Sequence, residues 1–208
     1  ITAVDDEIVV SANPGSGIGN VVITADTGAV IRTTNNIWTY SEILAISPDN
    51  GQYGTRVVVG GRGLRGGGSN VQQVTVCGTV VAELLSESDT SVEFVVPVVS
   101  TVVPPQPCDV VVFAGELNTE VVLTDGLRYR VPGSIASIEP NSGHHGTRVT
   151  VSGSDLFGGG TSLVSASFAG VNAIIDSQDD SNIAVRVQQL DTATSFTGDV
   201  VLTSESGA

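Results

Sequence analysis

Hydrophobic positions along the chain fall into short runs. RVVVGG (56–61), VQQVTV (71–76), SVEFVV (91–96), DVVVFA (109–114), RVTVSG (148–153) and NIAVRV (182–187) are alternating or wholly apolar, and clusters of Gly, Pro, Asn and Asp bound them. Runs of about 4 to 8 residues with period two, or continuously apolar, are the mark of strands. No stretch of about ten residues or more carries an apolar period of 3.6, so helix is at most a minor component. The prediction is an all-β protein with many turns.

The runs recur in order. ISPDNGQYGTRVVVGGRGLRGGGSNVQQVTVCG, from Ile46 to Gly78, aligns without a gap on IEPNSGHHGTRVTVSGSDLFGGGTSLVSASFAG, from Ile138 to Gly170, at a constant offset of 92 residues. Pro48 falls on Pro140, Gly51 and Gly54 on Gly143 and Gly146, Leu64 on Leu156, and the triple glycine 66–68 on 158–160. A looser match continues behind it. GNVVITADTG (19–28), CDVVVFAGE (108–116) and GDVVLTSESG (198–207) share one pattern, and IWTY before Ser41 resembles LRYRV after Gly126. Residues 1–42 then read as the back half of a repeat, 43–133 as a complete repeat, and 134–208 as a repeat that stops before its closing strand.

Composition narrows the classes of partner. The chain has 208 residues, enough for about two cores, with 22 acidic and 8 basic residues and a net charge of −14. All eight basic residues are arginine, and there is no methionine. A surface this negative repels phosphate backbones, and Arg62 with Arg65 is too small a patch to reverse it, so no nucleic-acid partner is expected. No apolar run approaches the roughly 20 residues of a membrane span. The chain opens at Ile1 without a start methionine or signal peptide, and reads as a processed chain or a piece of a longer one.

The pattern I-x-x-I-x-P-x-x-G-x-x-G-T-x-V-x-V-x-G-x-x-L, present from Ile43 and again from Ile135, with a later aromatic-x-Tyr, resembles the IPT/TIG family of immunoglobulin-like domains. The resemblance covers essentially the whole chain and implies tandem β-sandwiches of about seven strands each. The family occurs in plexin-type receptors, Rel-type transcription factors, beside starch-acting enzymes and in tandem surface arrays, so the fold alone selects no function.

Within such a sandwich, Cys77 at the end of the third strand would lie beside Cys108 at the start of the sixth. The third repeat has Ala169 and about Gly198 at these places, and the first has Gly19 where the second has Cys108. A Cys77–Cys108 disulfide follows from the resemblance, closing a loop of about 30 residues and contributing roughly 3 to 4 kcal/mol; the alternative is two buried free thiols. A bridge would imply an oxidising, extracellular or cell-surface setting.

Other residues have structural readings. Pro48 and Pro140 end the first strand of their repeats. Val57, Val59, Val149 and Val151 point into the core, as Trp38, Phe94, Phe113 and Phe168 are expected to. The acidic turns at Asp5–Asp6, Asp89 and Asp179–Asp180 are ordinary turn residues without EF-hand spacing, so no metal is expected. GRGLRG (61–66) satisfies a dinucleotide fingerprint but leads into a strand, not the helix that would face a pyrophosphate; no cofactor is expected. Neither Asn118 nor Asn141 begins a glycosylation sequon.

His144 and His145, the only histidines, share one turn whose counterpart holds Gln52 and Tyr53. No nucleophile–base pair or zinc spacing accompanies them, so the expectation is no enzyme. Two non-catalytic readings remain. The first is a rigid tandem stalk or filament subunit whose partner is another copy or a longer tandem chain, assembled end to end and completed by β-strand addition. The alternative is a surface adhesion module whose loops, at Gln52–Tyr53 and His144–His145, contact a glycan or a cell-surface protein.

Overall fold

The computed structural model describes residues 2–4, 7–13, 15–100, 105–115, 119–188 and 197–208, and no helix occurs among them. The chain is all-β. Its first segment forms paired short strands. β1 (Thr2–Val4) pairs with β2 (Glu7–Val9), β3 (Ile18–Gly19) with β6 (Trp38–Thr39), and β4 (Val22–Thr24) with β5 (Val30–Arg32). Thr33 Oγ1 accepts the Val21 N–H at 2.9 Å and Asn20 Oδ1 accepts the Asn36 N–H at 2.9 Å, which fastens the hairpin. No second sheet covers it among the described residues. Ile31 is 68% exposed and Trp38 43% exposed, so Trp38 is not the core residue the sequence suggests; its ring meets Tyr40 edge-on, at 5.8 Å between centroids.

The second segment is a sandwich. Its strands are β7 (Glu42–Ser47), β8 (Asn50–Gly51), β9 (Arg56–Arg62), β10 (Val71–Val76), β11 (Thr79–Val80), β12 (Leu84–Glu87), β13 (Ser91–Val95), β14 (Gln106–Ala114) and β15 (Thr119–Tyr129). One sheet runs β11-β10-β14-β15-β8 and the other β12-β13-β9-β7. Alternation places Val57 and Val59 of β9, Val74 and Val76 of β10, Val92 and Phe94 of β13, and Val110 and Val112 of β14 between the sheets, all with no exposed surface. Each such valine contributes about 1.5–3 kcal/mol through burial. Phe113 is half-buried, on the other face of β14.

The third segment contains β16 (Ser134–Glu139), β17 (Arg148–Ser154), β18 (Leu163–Phe168), β19 (Val171–Gln178), β20 (Asn182–Val187) and β21 (Val200–Ser204). They form one sheet in the order β16-β17-β20-β19-β18-β21. The difference from the second segment lies in β19. There VNAIIDSQ is one unbroken strand that pairs with both β18 and β20, whereas the equivalent stretch breaks at residues 81–83 into β11 and β12, one in each sheet. Val149, Val151, Leu156, Leu163, Ala166, Ile183 and Val185 form its core, with Phe168 half-buried against it.

The repeated prolines terminate their strands as expected. Ser47–Pro48 ends β7, Glu139–Pro140 ends β16, and both bonds are cis. The glycine loops also match. Leu64, with no exposure, and Leu156 each plug a turn whose amides are held by the acidic turn opposite. Asp89 receives the Leu64 N–H on its carbonyl and the Arg65 N–H on its carboxylate at 3.1 Å, and Asp180 does the same for Leu156 and Phe157. These aspartates staple a turn; Asp5 and Asp6 lie outside the described residues. GRGLRG continues into β10 through this loop.

Candidate functional site

The second and third sandwiches meet directly, and side-chain and backbone polar groups converge where they meet. The loop 51–54 of the second sandwich is shaped from within. Gln52 donates its N–H to Thr55 Oγ1 at 3.1 Å, Gly54 donates to Val96 O at 3.1 Å, and Gly54 takes φ +89°, a value that favours glycine. The loop then reaches across. Gln52 Oε1 accepts the Gly133 N–H at 2.7 Å, the Arg56 N–H donates to Ser206 O at 2.7 Å, and Arg130 binds Asn50 at 3.3 Å and Asp155 at 3.4 Å. Arg130 and Asp155 are each more than a third exposed, so their ion pair is worth about 1 kcal/mol at most. The backbone and amide bonds therefore hold the joint.

Glycine makes the close approach possible. A Cβ at Gly158 would stand 2.7 Å from Gln52 Nε2, and one at Gly54 would stand 3.2 Å from Ala208 Cα. Glu205 fixes the turn that delivers Ala208. Its carboxylate accepts the Thr161 N–H at 2.9 Å, the Thr161 hydroxyl, and the Ser162 hydroxyl at 3.2 Å. Those bonds, the Thr161 hydroxyl foremost, hold its pKa below the usual carboxylate range. Two cavities flank the joint. A cleft of about 550 Å³ lies between Asp49, Asn50, Arg128, Arg130 and Asp155, and a smaller one of about 140 Å³ lies beneath Gln52 and Ile135.

The sequence-predicted residues are distributed over the two poles. Gln52 is half-buried in the joint, and its neighbour Tyr53 is 57% exposed. His144 and His145 occupy the corresponding turn of the third sandwich and are exposed. The His144 N–H donates to Thr147 Oγ1 at 2.9 Å, as Gln52 does to Thr55, and His144 Nδ1 lies 2.6 Å from His145 O. Arg62 pairs with Glu42 at 2.8 Å and Arg65 with Glu87 at 2.9 Å, so neither presents an unpaired charge. The Arg65 guanidinium, through its hydrogen bond, holds the Glu87 carboxyl below its ordinary pKa. Among the described residues no three His, Cys, Asp or Glu side chains converge as metal ligands.

Cys77 and Cys108 form a disulfide between the end of β10 and the start of β14, antiparallel neighbours in one sheet. The third sandwich has Ala169 and Gly198 in the same relation. A Cβ at Gly198 would stand 2.6 Å from Ala169 Cβ, and Cys77 and Ala169 share φ of 50° and 49°.

A scan against family profiles matches the IPT/TIG domain twice, over residues 41–128 and 134–206. The chain belongs to the IPT/TIG family. Among solved structures, the plexin A4 full extracellular region aligns at TM-score 0.54 and 18% identity, covering 88% of this chain and 16% of that one. The surface glycan-binding protein SGBP-B of the Bacteroides ovatus mixed-linkage glucan utilization locus, in complex with a heptasaccharide, aligns at TM-score 0.37 and 14% identity over 91% of this chain and 47% of that one. Surface glycan-binding protein PbSGBP-B of Prevotella bryantii aligns at TM-score 0.35 and 14% identity, over 82% and 41%. The IPT/TIG repeats described here thus span about a sixth of the plexin chain and under half of the glycan-binding proteins. A comparison with curated proteins found no match.

The role of Gln52 in the joint was not visible in the sequence. Its only signal is that PDNGQYG and PNSGHHG differ at Gln52–Tyr53 and His144–His145 while the glycines around them agree.

Proposed function

We propose that this chain is a non-enzymatic structural segment of an extracellular or cell-surface protein, a rigid stalk of docked IPT/TIG sandwiches that also serves as a filament subunit. The observation that carries the reading is the joint. Gln52 binds the linker at Gly133, Arg56–Ser206 and Arg130–Asp155 bind successive sandwiches directly, and only residues 130–133 separate β15 from β16. A linker this short, with the Arg130 N–H on Gly51 O and the Gly133 N–H on Gln52 Oε1, transmits orientation from one sandwich to the next. The Cys77–Cys108 disulfide supports the oxidising setting.

On this reading, segments 1–42, 43–133 and 134–208 are successive repeats, and the strand order allows growth by β-strand addition. Among the described residues β21 bonds only β18, whereas the matching strand β14 bonds both β10 and β15. On this reading a strand of the β15 type, from residues 30–40 of a second copy whose Val30, Ile31 and Ile37 are exposed, pairs with β21. Electron microscopy of the purified full chain tests this. Straight rods that lengthen with concentration support it, and flexible, bent particles that never associate refute it.

A second reading has its own observation. The cleft between the sandwiches presents Asn50, Arg128 and Asp49 around about 550 Å³, a size suited to a sugar or peptide ligand. Binding to a glycan array that disappears on Arg128→Ala or Tyr53→Ala favours the adhesion module over the stalk.

A further inference from the structure

We infer that the cleft between the second and third sandwiches is a binding site for an acidic oligosaccharide, with the Arg128 guanidinium receiving a uronate carboxylate and Asp49 a neighbouring sugar hydroxyl. The inference leaves the stalk standing. It rests on the reading of this cleft as a ligand site and names the class of ligand.

The described residues that line its volume of about 550 Å³ come from the turn between β7 and β8, the end of β15, the linker and the loop after β17. Recurrence separates scaffold from decoration among them. With Tyr129 aligned on Tyr40, the joint between the first and second segments has Thr39 in place of Arg128 and Ser41 in place of Arg130. At the 92-residue offset it has Gly63 in place of Asp155. There the Ser41 hydroxyl donates to Gly63 O at 2.6 Å, a neutral bond. Two arginines and an aspartate stand at these places in the cleft, in a chain with only eight basic residues. A joint of this kind closes without them.

Asp155 carries the same message in its backbone. Gly63 has φ +62° and Asp155 +48°, both in the left-handed region that favours glycine. An aspartate is less comfortable there than glycine. Its pair with Arg130 is more than a third exposed on both sides, so the fold gains little in return. What the carboxylate does is hold a guanidinium. Arg130 lies 3.4 Å from Asp155 and 3.3 Å from Asn50, and its stem passes 3.3 Å from where a Cβ on Gly159 would stand. Asp155 is thus a positioning residue, which fixes Arg130 in the cleft wall.

Arg128 is left to the ligand. Two residues before Arg130 in extended chain, it takes the same side, and both line the cleft. Among the described residues it has no carboxylate within ion-pair distance. Its N–H donates to Asp49 O at 2.8 Å, which fixes the backbone beneath it. A planar guanidinium takes a carboxylate through two parallel N–H bonds. Asp49 Oδ1 accepts the Asn50 amide at 3.0 Å, and Oδ2 can accept from a hydroxyl. Pro105 and Val131 add apolar wall. With Asp49 and Asp155 in the lining, a doubly charged phosphate is repelled more than a singly charged carboxylate. A sugar acid carries carboxylate, hydroxyl donors and an apolar C–H edge on one ring, whereas an acidic peptide spreads them over several residues.

Titration calorimetry on the full chain tests this with four probes: cellobiouronate, its methyl ester, cellobiose, and a capped tripeptide with one glutamate. Cellobiouronate is expected to bind, less tightly as salt rises, and the other three at least about tenfold more weakly. Arg128→Ala should lose about tenfold or more, and Arg128→Lys, which keeps the charge but not the fork, somewhat less. Arg32→Ala, an exposed site with the same change of net charge, should bind as the unmodified chain does. Asp155→Gly should weaken binding without lowering the melting point, a combination that a purely structural aspartate would not give. Equal binding of acid, ester and cellobiose, lost in Arg128→Ala, overturns the acidic ligand but keeps the cleft as a sugar site. Tighter binding of the peptide overturns the sugar class. Binding of none of the four, or of cellobiouronate equally to Arg128→Ala, overturns the site.

Discussion

The side-chain oxygen of Gln52 lies 2.7 Å from the amide nitrogen of Gly133, so a loop at the end of one sandwich closes the backbone that begins the next. Gln52→Ala leaves that N–H without its partner, at a cost of about 1 kcal/mol. The core valines are far from the change, so the unfolding midpoints of both sandwiches should move little. The joint should loosen instead. Residual dipolar couplings are expected to report one shared alignment frame in the unmodified chain and two partly independent frames in the variant.

Only the second sandwich is cross-linked, and this makes an internal comparison possible. Cys77 and Cys108 close a loop of separation 31, which by chain entropy is worth about 3 to 4 kcal/mol. Cys77→Ala with Cys108→Ala removes the bridge and leaves two small apolar side chains in its place. The double variant should lower the melting point of the second sandwich by more than about 10 °C and leave the third in place. Calorimetry that resolves the two transitions checks it, and reduction of the unmodified chain should give the same shift.

The comparison of the repeats also shows what sequence could convey. Periodicity sufficed for Val57, Val59, Val149 and Val151, because alternation on a strand fixes which face a side chain takes. Recurrence sufficed for Pro48, Pro140 and the glycine turns, since a backbone requirement is copied with the repeat. Trp38 failed because burial depends on a covering sheet, and the hairpin that carries it has none among the described residues. The part of Gln52 in the joint was illegible for a different reason. Its partners are Gly133, at the end of the linker, and Gly158 of the next repeat, and only the angle at which two sandwiches meet brings them together.

Acid should act on the joint through Glu205. Its pKa is depressed in the folded protein, chiefly by the Thr161 hydroxyl, so the unfolded chain binds protons more readily. The stabilisation is then fully present above the unfolded value of about 4.3 and disappears as pH falls through the lower folded value. Protonation releases the loop at Thr161 and Ser162 from the turn that carries Ser206 to Arg56. Amide exchange at Arg56 is expected to quicken below about pH 4 relative to exchange at Val59 in the core. Glu205→Gln should show the faster exchange already at neutral pH.

Tyr129 gives a test of the second core that is independent of the joint. Its hydroxyl accepts the Val99 N–H at 3.3 Å, and both residues are buried. Phenylalanine fills the same volume but cannot accept the bond, which leaves an amide without a partner and out of reach of water. The cost of such a group is about 1 to 3 kcal/mol. Urea unfolding of Tyr129→Phe should therefore show a lower midpoint at an unchanged slope, since the surface exposed on unfolding is the same. Tyr53→Phe, at an exposed position, is the control and should leave the midpoint unmoved. An equal effect of the two substitutions would mean that the hydroxyl of Tyr129 is not what holds Val99.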